Sequence, residues 1–171
     1  AMREMEDGQF DLAIVDPPYG IKRDKGGMGN SRSSNSRSKR WASSKVYASK
    51  WDNIRAEKPF FVELIRVSKK ILVFGGNYFA DLLPASTHWI VWDKLNTMPS
   101  FSDCELIYTN IKRYSVKKYT LQWSGLQGKE KTRFHPTQKP VTLYEWLLTK
   151  YAKKGDKILD THAGSFSIGI A

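Results

Sequence analysis

The run Leu12-Ala13-Ile14-Val15 stops abruptly at Asp16-Pro17-Pro18. Four apolar residues ahead of two prolines read as a short buried strand that ends in a stiff loop. The same grammar recurs along the chain. Ile71–Phe74 is apolar and halts at Gly75-Gly76. His88–Trp92 and Glu105–Thr109 read as further strands. Lys157–Leu159 reads as a last one, and Asp160–Ser165 turns out of it. Helical patterns lie between them. Ala56–Val67 carries apolar residues at 60, 61, 64, 65 and 67. A short helix is expected from Asn77 towards Leu83, ended by Pro84. Val141–Tyr151 places Leu143, Trp146, Leu147 and Leu148 at helical spacing, with Pro140 fitting its first turn. Short buried strands alternating with helices predict an α/β domain with a mostly parallel sheet. Ligands of such sheets bind beyond the carboxyl ends of the strands. Two predicted strands end in Asp before a sharp loop, at Asp16 and Asp160, and chemistry is expected there.

The length of 171 residues fits one catalytic domain spanning 1–171, and 40% hydrophobic with 13% aromatic residues supplies a core. This composition excludes wholesale disorder. No apolar run approaches the ~18 residues of a membrane span, and no apolar stretch opens the chain like a signal peptide. The single cysteine, Cys104, cannot form an internal disulfide, so the reducing cytoplasm is the expected compartment. Its expected role is that of a small buried hydrophobe. Three dispersed histidines offer no metal-site spacing.

The net charge of +11 is uneven. Residues 22–58 hold eleven Lys/Arg and three Asp/Glu, and residues 112–139 hold eight and one. The remaining residues are slightly acidic, at −4. A solvated surface is the bland account of one such run. Two runs with interleaved aromatics (Trp41, Tyr47 and Trp51; Tyr114, Tyr119 and Trp123) suit a polyanion with stackable bases. Arg32, Arg37, Lys39, Arg40, Lys45 and Lys50 in the first run, and Lys112, Arg113, Lys117, Lys118, Lys129, Lys131 and Arg133 in the second, are the candidate nucleic-acid contacts. Ser31–Ser38 contains only Ser, Arg and Asn, so 22–56 is expected to be a basic loop, mobile when free and ordered on its substrate.

Asp16-Pro17-Pro18-Tyr19 carries the sharpest signal. Two prolines remove two backbone donors, leaving carbonyl acceptors beside the Asp carboxylate and a Tyr ring. Acceptors beside an aromatic face suit a flat ring with an exocyclic amine. Here the chain resembles the DNA amino-methyltransferases, which use S-adenosyl-L-methionine and carry (D/N/S)-PP-(Y/F). Phe74-Gly75-Gly76-Asn77-Tyr78 follows a strand, as that family's next motif does. Phe134-His135-Pro136-Thr137-Gln138-Lys139-Pro140 matches its H-P-x-Q-K-P, and Ile158-Leu159-Asp160-Thr161-His162-Ala163-Gly164-Ser165 resembles its cofactor loop D-P-F-x-G-S-G-T. With the DPPY motif first and the cofactor loop last, the order resembles the permuted β class, whose target-recognition segment lies between them. That segment is expected at 112–134.

The resemblance implies a Rossmann-like methyltransferase fold and methyl transfer to the N6 amine of an adenine flipped out of double-stranded DNA. Asp16 and Pro17 would hold the amine, with Pro18 stiffening the loop and Tyr19 stacking on the base. Asp160, His162, Ala163, Gly164, Ser165, His135, Thr137, Gln138, Lys139 and Phe74 would hold the cofactor. His162 has packing as an equal alternative, and His88 reads as structural. The Asp form favours adenine; N4-cytosine methylation and a decayed, DNA-binding homologue are the alternatives. A homodimer and a cognate restriction nuclease remain open as partners, and a membrane partner is not expected. Three departures stand out. Thr161 and His162 replace the usual Pro and Phe, Phe166 stands where a second Gly is common, and the family continues past the position of Ala171. The C-terminal part of the cofactor half is therefore expected to be missing.

Overall fold

The computed structural model describes residues 1–21, 54–96, 102–123 and 138–171. By contact the chain divides into two units, one of residues 1–17 with 57–171 and one of 18–56. The larger unit is built on a six-stranded sheet. Its strands are β1 (Leu12–Val15), β2 (Ile71–Phe74), β3 (Trp89–Asp93), β4 (Cys104–Thr109), β5 (Lys117–Thr120) and β6 (Ile158–Leu159). Their spatial order is β5-β3-β4-β2-β1-β6. β1 pairs in parallel with β2 and β6, and β3 with β5, while β4 runs antiparallel to both neighbours. The sheet is therefore mixed but mostly parallel, since β4 alone opposes the other described strands. Helices α1 (Lys58–Val67), α2 (Val141–Tyr151) and α3 (Ser167–Ile170) complete the unit, with 3-10 turns at Met2–Glu4 and Gly76–Phe79.

Periodicity explains the core. β1 and β2 are buried at all four positions, as fully covered strands should be. Leu12 and Ile14 of β1, Leu72 and Phe74 of β2, and Ile90 and Trp92 of β3 cluster with Leu143, Tyr144, Leu147 and Tyr151 of α2. The spacing of two along the strands meets the spacing of three and four along the helix. Each such aliphatic side chain, when fully buried, contributes about 1.5–3 kcal/mol. α1 buries Phe61, Leu64 and Val67, and Phe61 packs on Phe79 with ring centroids 4.9 Å apart.

The Gly75-Gly76 stop has a steric cause. Gly75 adopts a left-handed φ of +62°. A Cβ on Gly76 would lie 2.6 Å from the Tyr108 Cβ and 2.8 Å from the Trp89 ring, so only glycine lets this turn close on β3 and β4. The 3-10 turn that follows is shorter than the expected helix from Asn77 to Leu83. Its backbone closes at Phe79, which accepts the Leu82 and Leu83 N–H groups.

Two further expectations need correction. Cys104 is exposed rather than a small buried hydrophobe, because it opens β4 at the end of the sheet where cover is thin. Pro140 precedes α2 as its cap residue instead of occupying the first turn. Sequence periodicity does not predict β5. Its Lys117-Lys118-Tyr119-Thr120 sequence lacks apolar alternation, and it forms by pairing on the edge of β3. His88 is structural, as expected, but lies just ahead of β3. Its Nε2 meets the Tyr151 hydroxyl at 3.1 Å, and its Nδ1 meets the Ser115 carbonyl.

In the smaller unit the described residues are 18–21 and 54–56. The Ala56 N–H donates to the Pro18 carbonyl at 3.1 Å. Gly20 has φ +75°, and a Cβ there would stand 2.9 Å from the Arg55 backbone nitrogen. The ends of this unit thus close on each other through a glycine that no other residue replaces without strain. Nearly all of the basic loop expected at 22–56 lies outside the described residues. So do its Arg32, Arg37, Lys39, Arg40, Lys45 and Lys50, together with Lys129, Lys131, Arg133, His135 and Thr137.

Candidate active site

β1 and β6 lie side by side in parallel, with Leu12 opposite Ile158 and Ala13 opposite Leu159. Both strands end in the predicted aspartates, so Asp16 and Asp160 leave the same edge of the sheet. That edge is the carboxyl end of the parallel strands, where ligands of α/β sheets bind.

Asp16 is part-buried, and its Oδ2 accepts the Lys139 ammonium at 2.7 Å. Lys139 comes from the short approach to α2 and is 8% exposed. The same ammonium sits 3.1 Å from Oε1 of Glu105 on β4 and 4.6 Å from the centroid of the Phe74 ring. Oε2 of Glu105 accepts Lys94 at 2.7 Å. Four charges of alternating sign thus run in a chain from the loop after β1: Asp16, Lys139, Glu105, Lys94. Burial alone would push the Lys139 ammonium down, but Asp16 and Glu105 reverse this and hold it above the ordinary lysine range. Burial would likewise raise the Glu105 carboxyl, yet Lys139 and Lys94 hold it down at about 2. A buried ion pair persists when its geometry satisfies both ions, as it does here. Tyr144, on α2, packs edge-on to Phe74 with centroids 5.7 Å apart. Burial pushes its hydroxyl up, so it stays a neutral phenol.

The loop after β6 follows a different logic. Burial raises the Asp160 carboxyl, the His162 N–H it accepts at 2.9 Å partly offsets this, and the nearby Asp16 charge adds to the rise. Two carboxylates that sense each other beside one committed lysine make an acceptor-rich mouth. Burial lowers His162. Its ring lies 5.4 Å from the ring of Phe60, so packing accounts for part of its role. Gly164 has φ +50°, as the tight turn of this loop requires. Ala163 and Gly164 are exposed, and the Ser165 hydroxyl lies 2.9 Å from that of Ser167. Phe166 takes a left-handed φ of +59°, where a glycine would sit without strain. Its ring occupies the space that a side chain at position 169 would need, which Gly169 leaves open.

The structure thus brings Asp16, Lys139, Phe74 and Asp160 into one unit at one sheet edge, with Pro17 and Gln138 both buried. Lys112, Arg113, Lys117 and Lys118 are exposed on β5 and the segment before it. Lys118 bonds Asp93 at 3.1 Å. Sequence reasoning missed Glu105 and Lys94. The signal that could have found them was a carboxylate inside an apolar strand run, Glu105-Leu106-Ile107, which needs a cation when buried.

The fold is an α/β domain with a mostly parallel sheet, and two of its adjacent parallel strands lead into aspartates. It is similar to the crystal structure of the M1.HpyAVI–SAM complex, with a TM-score of 0.51 at 18% identity, over 98% of this chain and 78% of that one. Residues 108–171 match a family model described as DNA methylase, of the N6/N4 type. The chain is 24% identical to the type II methyltransferase M.HpaI of Haemophilus parainfluenzae over 203 residues, covering 99% of this chain and 62% of the relative. It is 30% identical to the type II methyltransferase M2.MboI of Moraxella bovis over 101 residues, covering 56% of this chain and 35% of that relative. The chain therefore spans under two thirds of the length of either relative. The chain is thus similar to DNA methylases over residues 108–171 and to type II methyltransferases over part of their length. Among the described residues, no helix is long and apolar enough to cross a membrane.

Proposed function

We propose that the protein carrying this chain transfers a methyl group from S-adenosyl-L-methionine to the N6 amine of an adenine flipped out of double-stranded DNA. The observation that carries the reading is the placement of Asp16 and Asp160 on adjacent parallel strands, with Lys139 bonded to Asp16. The donor set fits the cofactor. Asp160 would supply a carboxylate for a ligand whose methionine end carries an ammonium and a sulfonium. Gly164, Ser165 and Gln138 would line the same end, and Phe74 would border it. When bound, this cofactor would supply an electrophilic methyl whose sulfur is a neutral leaving group. The amine nitrogen would take the methyl and give up one proton along its hydrogen bond to the Asp16 carboxylate.

This chain's own residues orient the amine. Lys139 holds the Asp16 carboxylate in place, and that carboxylate and the Pro17 carbonyl would accept the amine hydrogens. Tyr19 supplies the stacking face in this reading. Positioning is the main catalytic effect, and no nucleophile on the protein is needed. Exposed Lys112, Arg113 and Lys117 would meet phosphates, as would the lysines and arginines assigned from the two basic runs, while His135 and Thr137 would join the cofactor end by their motif. The permuted order of motifs belongs to the same reading, as does a type II restriction-modification context. The leading Asp of the motif favours adenine over N4-cytosine. Incubating the full-length protein with S-adenosyl-L-methionine and a random-sequence DNA pool, then digesting to nucleosides, tests this. N6-methyladenine is the expected product; N4-methylcytosine alone overturns the base assignment, and no methylated base overturns the activity.

A further inference from the structure

The geometry points to Glu105 as a positioning residue for methyl transfer, acting on Asp16 through the Lys139 ammonium that the two carboxylates share. The inference rests on the function proposed above and deepens it. Glu105 belongs to none of the motifs, and it stands on β4, two strands away from β1.

Its position explains how a flexible lysine serves a rigid site. A lysine ammonium is a point charge on a four-carbon stem with three donors, and it wanders unless those donors are engaged. Here the Lys139 ammonium lies 2.7 Å from Asp16 and 3.1 Å from Glu105, with the Phe74 ring 4.6 Å away. Glu105 is itself fixed, because it rides on a strand paired residue for residue with β3 and its second oxygen holds Lys94. The strand therefore anchors Glu105, Glu105 anchors Lys139, and Lys139 sets the orientation in which the Asp16 carboxylate meets the amine. Without Glu105, Lys139 would lose one of its two counter-ions and lean on Asp16. The carboxylate would turn towards the lysine and accept less strongly from the substrate. Catalytic constellations tolerate about 0.5 Å of such misplacement, and about 1 Å can cost a hundredfold in rate.

Three measurements on the full-length protein test this. For Glu105→Gln, single-turnover methyl transfer to the DNA pool, corrected for the folded fraction, is expected to fall roughly 10- to 100-fold. Calorimetric affinity for S-adenosyl-L-methionine is expected to stay within about twofold. Lysine NMR of the ligand-free protein is expected to show the Lys139 ammonium exchanging slowly with water in the wild type and fast in the variant. Arg66→Met, which breaks the ion pairs with Asp7 and Glu63 at the end of α1, should lower the melting temperature and leave the corrected rate near wild type. Glu105→Asp keeps the charge at shorter reach and should give an intermediate rate; it serves if Glu105→Gln does not fold. A corrected rate equal to wild type in whichever Glu105 variant folds overturns the positioning role alone. An inactive wild type overturns that role together with the proposed function.

Discussion

Lys94 and Lys139 are largely buried, while Lys112, Lys117 and Lys118 lie in water on the far edge of the same sheet. The two groups are chemically alike, and their surroundings give them opposite jobs. In the interior each ammonium is bound by carboxylates and a ring face, so its charge is local and its position fixed. At the edge the charges are exposed and screened within about 8–10 Å, with Lys118 bonded to Asp93, and they suit a partner that brings many negative charges. In the proposed reaction Lys139 holds the acceptor at Asp16, and the edge lysines would set how strongly DNA is held. The lesson is that net charge alone says little until each cation is assigned to one class or the other.

The comparison can be broken first at Lys139. Lys139→Met leaves Asp16 and Glu105 without their shared cation. Breaking such a buried pair should cost about 3–5 kcal/mol of unfolding free energy, read by denaturant titration. Unchanged stability would mean that this ion pair is not formed in solution. Asp160→Asn sharpens the distinction between a charge held for stability and one held for function. Burial raises the Asp160 carboxyl, so the fold disfavours its ionised form, and the penalty grows as pH rises from the unfolded value through the raised folded one. Asparagine keeps an acceptor for the His162 N–H and removes the charge. The variant should therefore melt higher than wild type at pH 7, with the gain vanishing below the unfolded carboxylate range, and should bind S-adenosyl-L-methionine more weakly. A lower melting temperature at pH 7 contradicts this. The smallest effect on the fold belongs to the edge. Replacing Lys112, Arg113, Lys117 and Lys118 by Ala should leave the melting temperature nearly unchanged. The log–log salt slope of DNA binding should become shallower by roughly 0.9 for each phosphate that the protein no longer neutralises. An unchanged slope would show that this edge does not meet phosphates.

Most of the sheet was legible from the sequence because its strands announce themselves locally. Leu12–Val15 and Ile71–Phe74 are unbroken apolar runs with proline or glycine stops, and α2 shows its buried stripe directly. Asp16 and Asp160 were legible for the same reason, since each follows such a run. β5 was not, because its burial alternation is weak and β3 imposes its strand form. Glu105 was hidden for a related reason. A carboxylate in a strand gains meaning only when cations from two other places in the chain arrive beside it, Lys94 after β3 and Lys139 before α2. Cys104 misled because a small apolar side chain in a strand usually goes inward, and this one is the first residue of β4, whose burial begins only further along.

In the proposed reaction Asp16 presents the acceptor for the amine being methylated. Wild type and Asp16→Ala are compared at equal folded concentration, with methylated nucleosides measured after a saturating DNA incubation. N6-methyladenine is expected from wild type and none from the variant, with DNA affinity nearly unchanged. Methylation by Asp16→Ala at a rate close to wild type would contradict it.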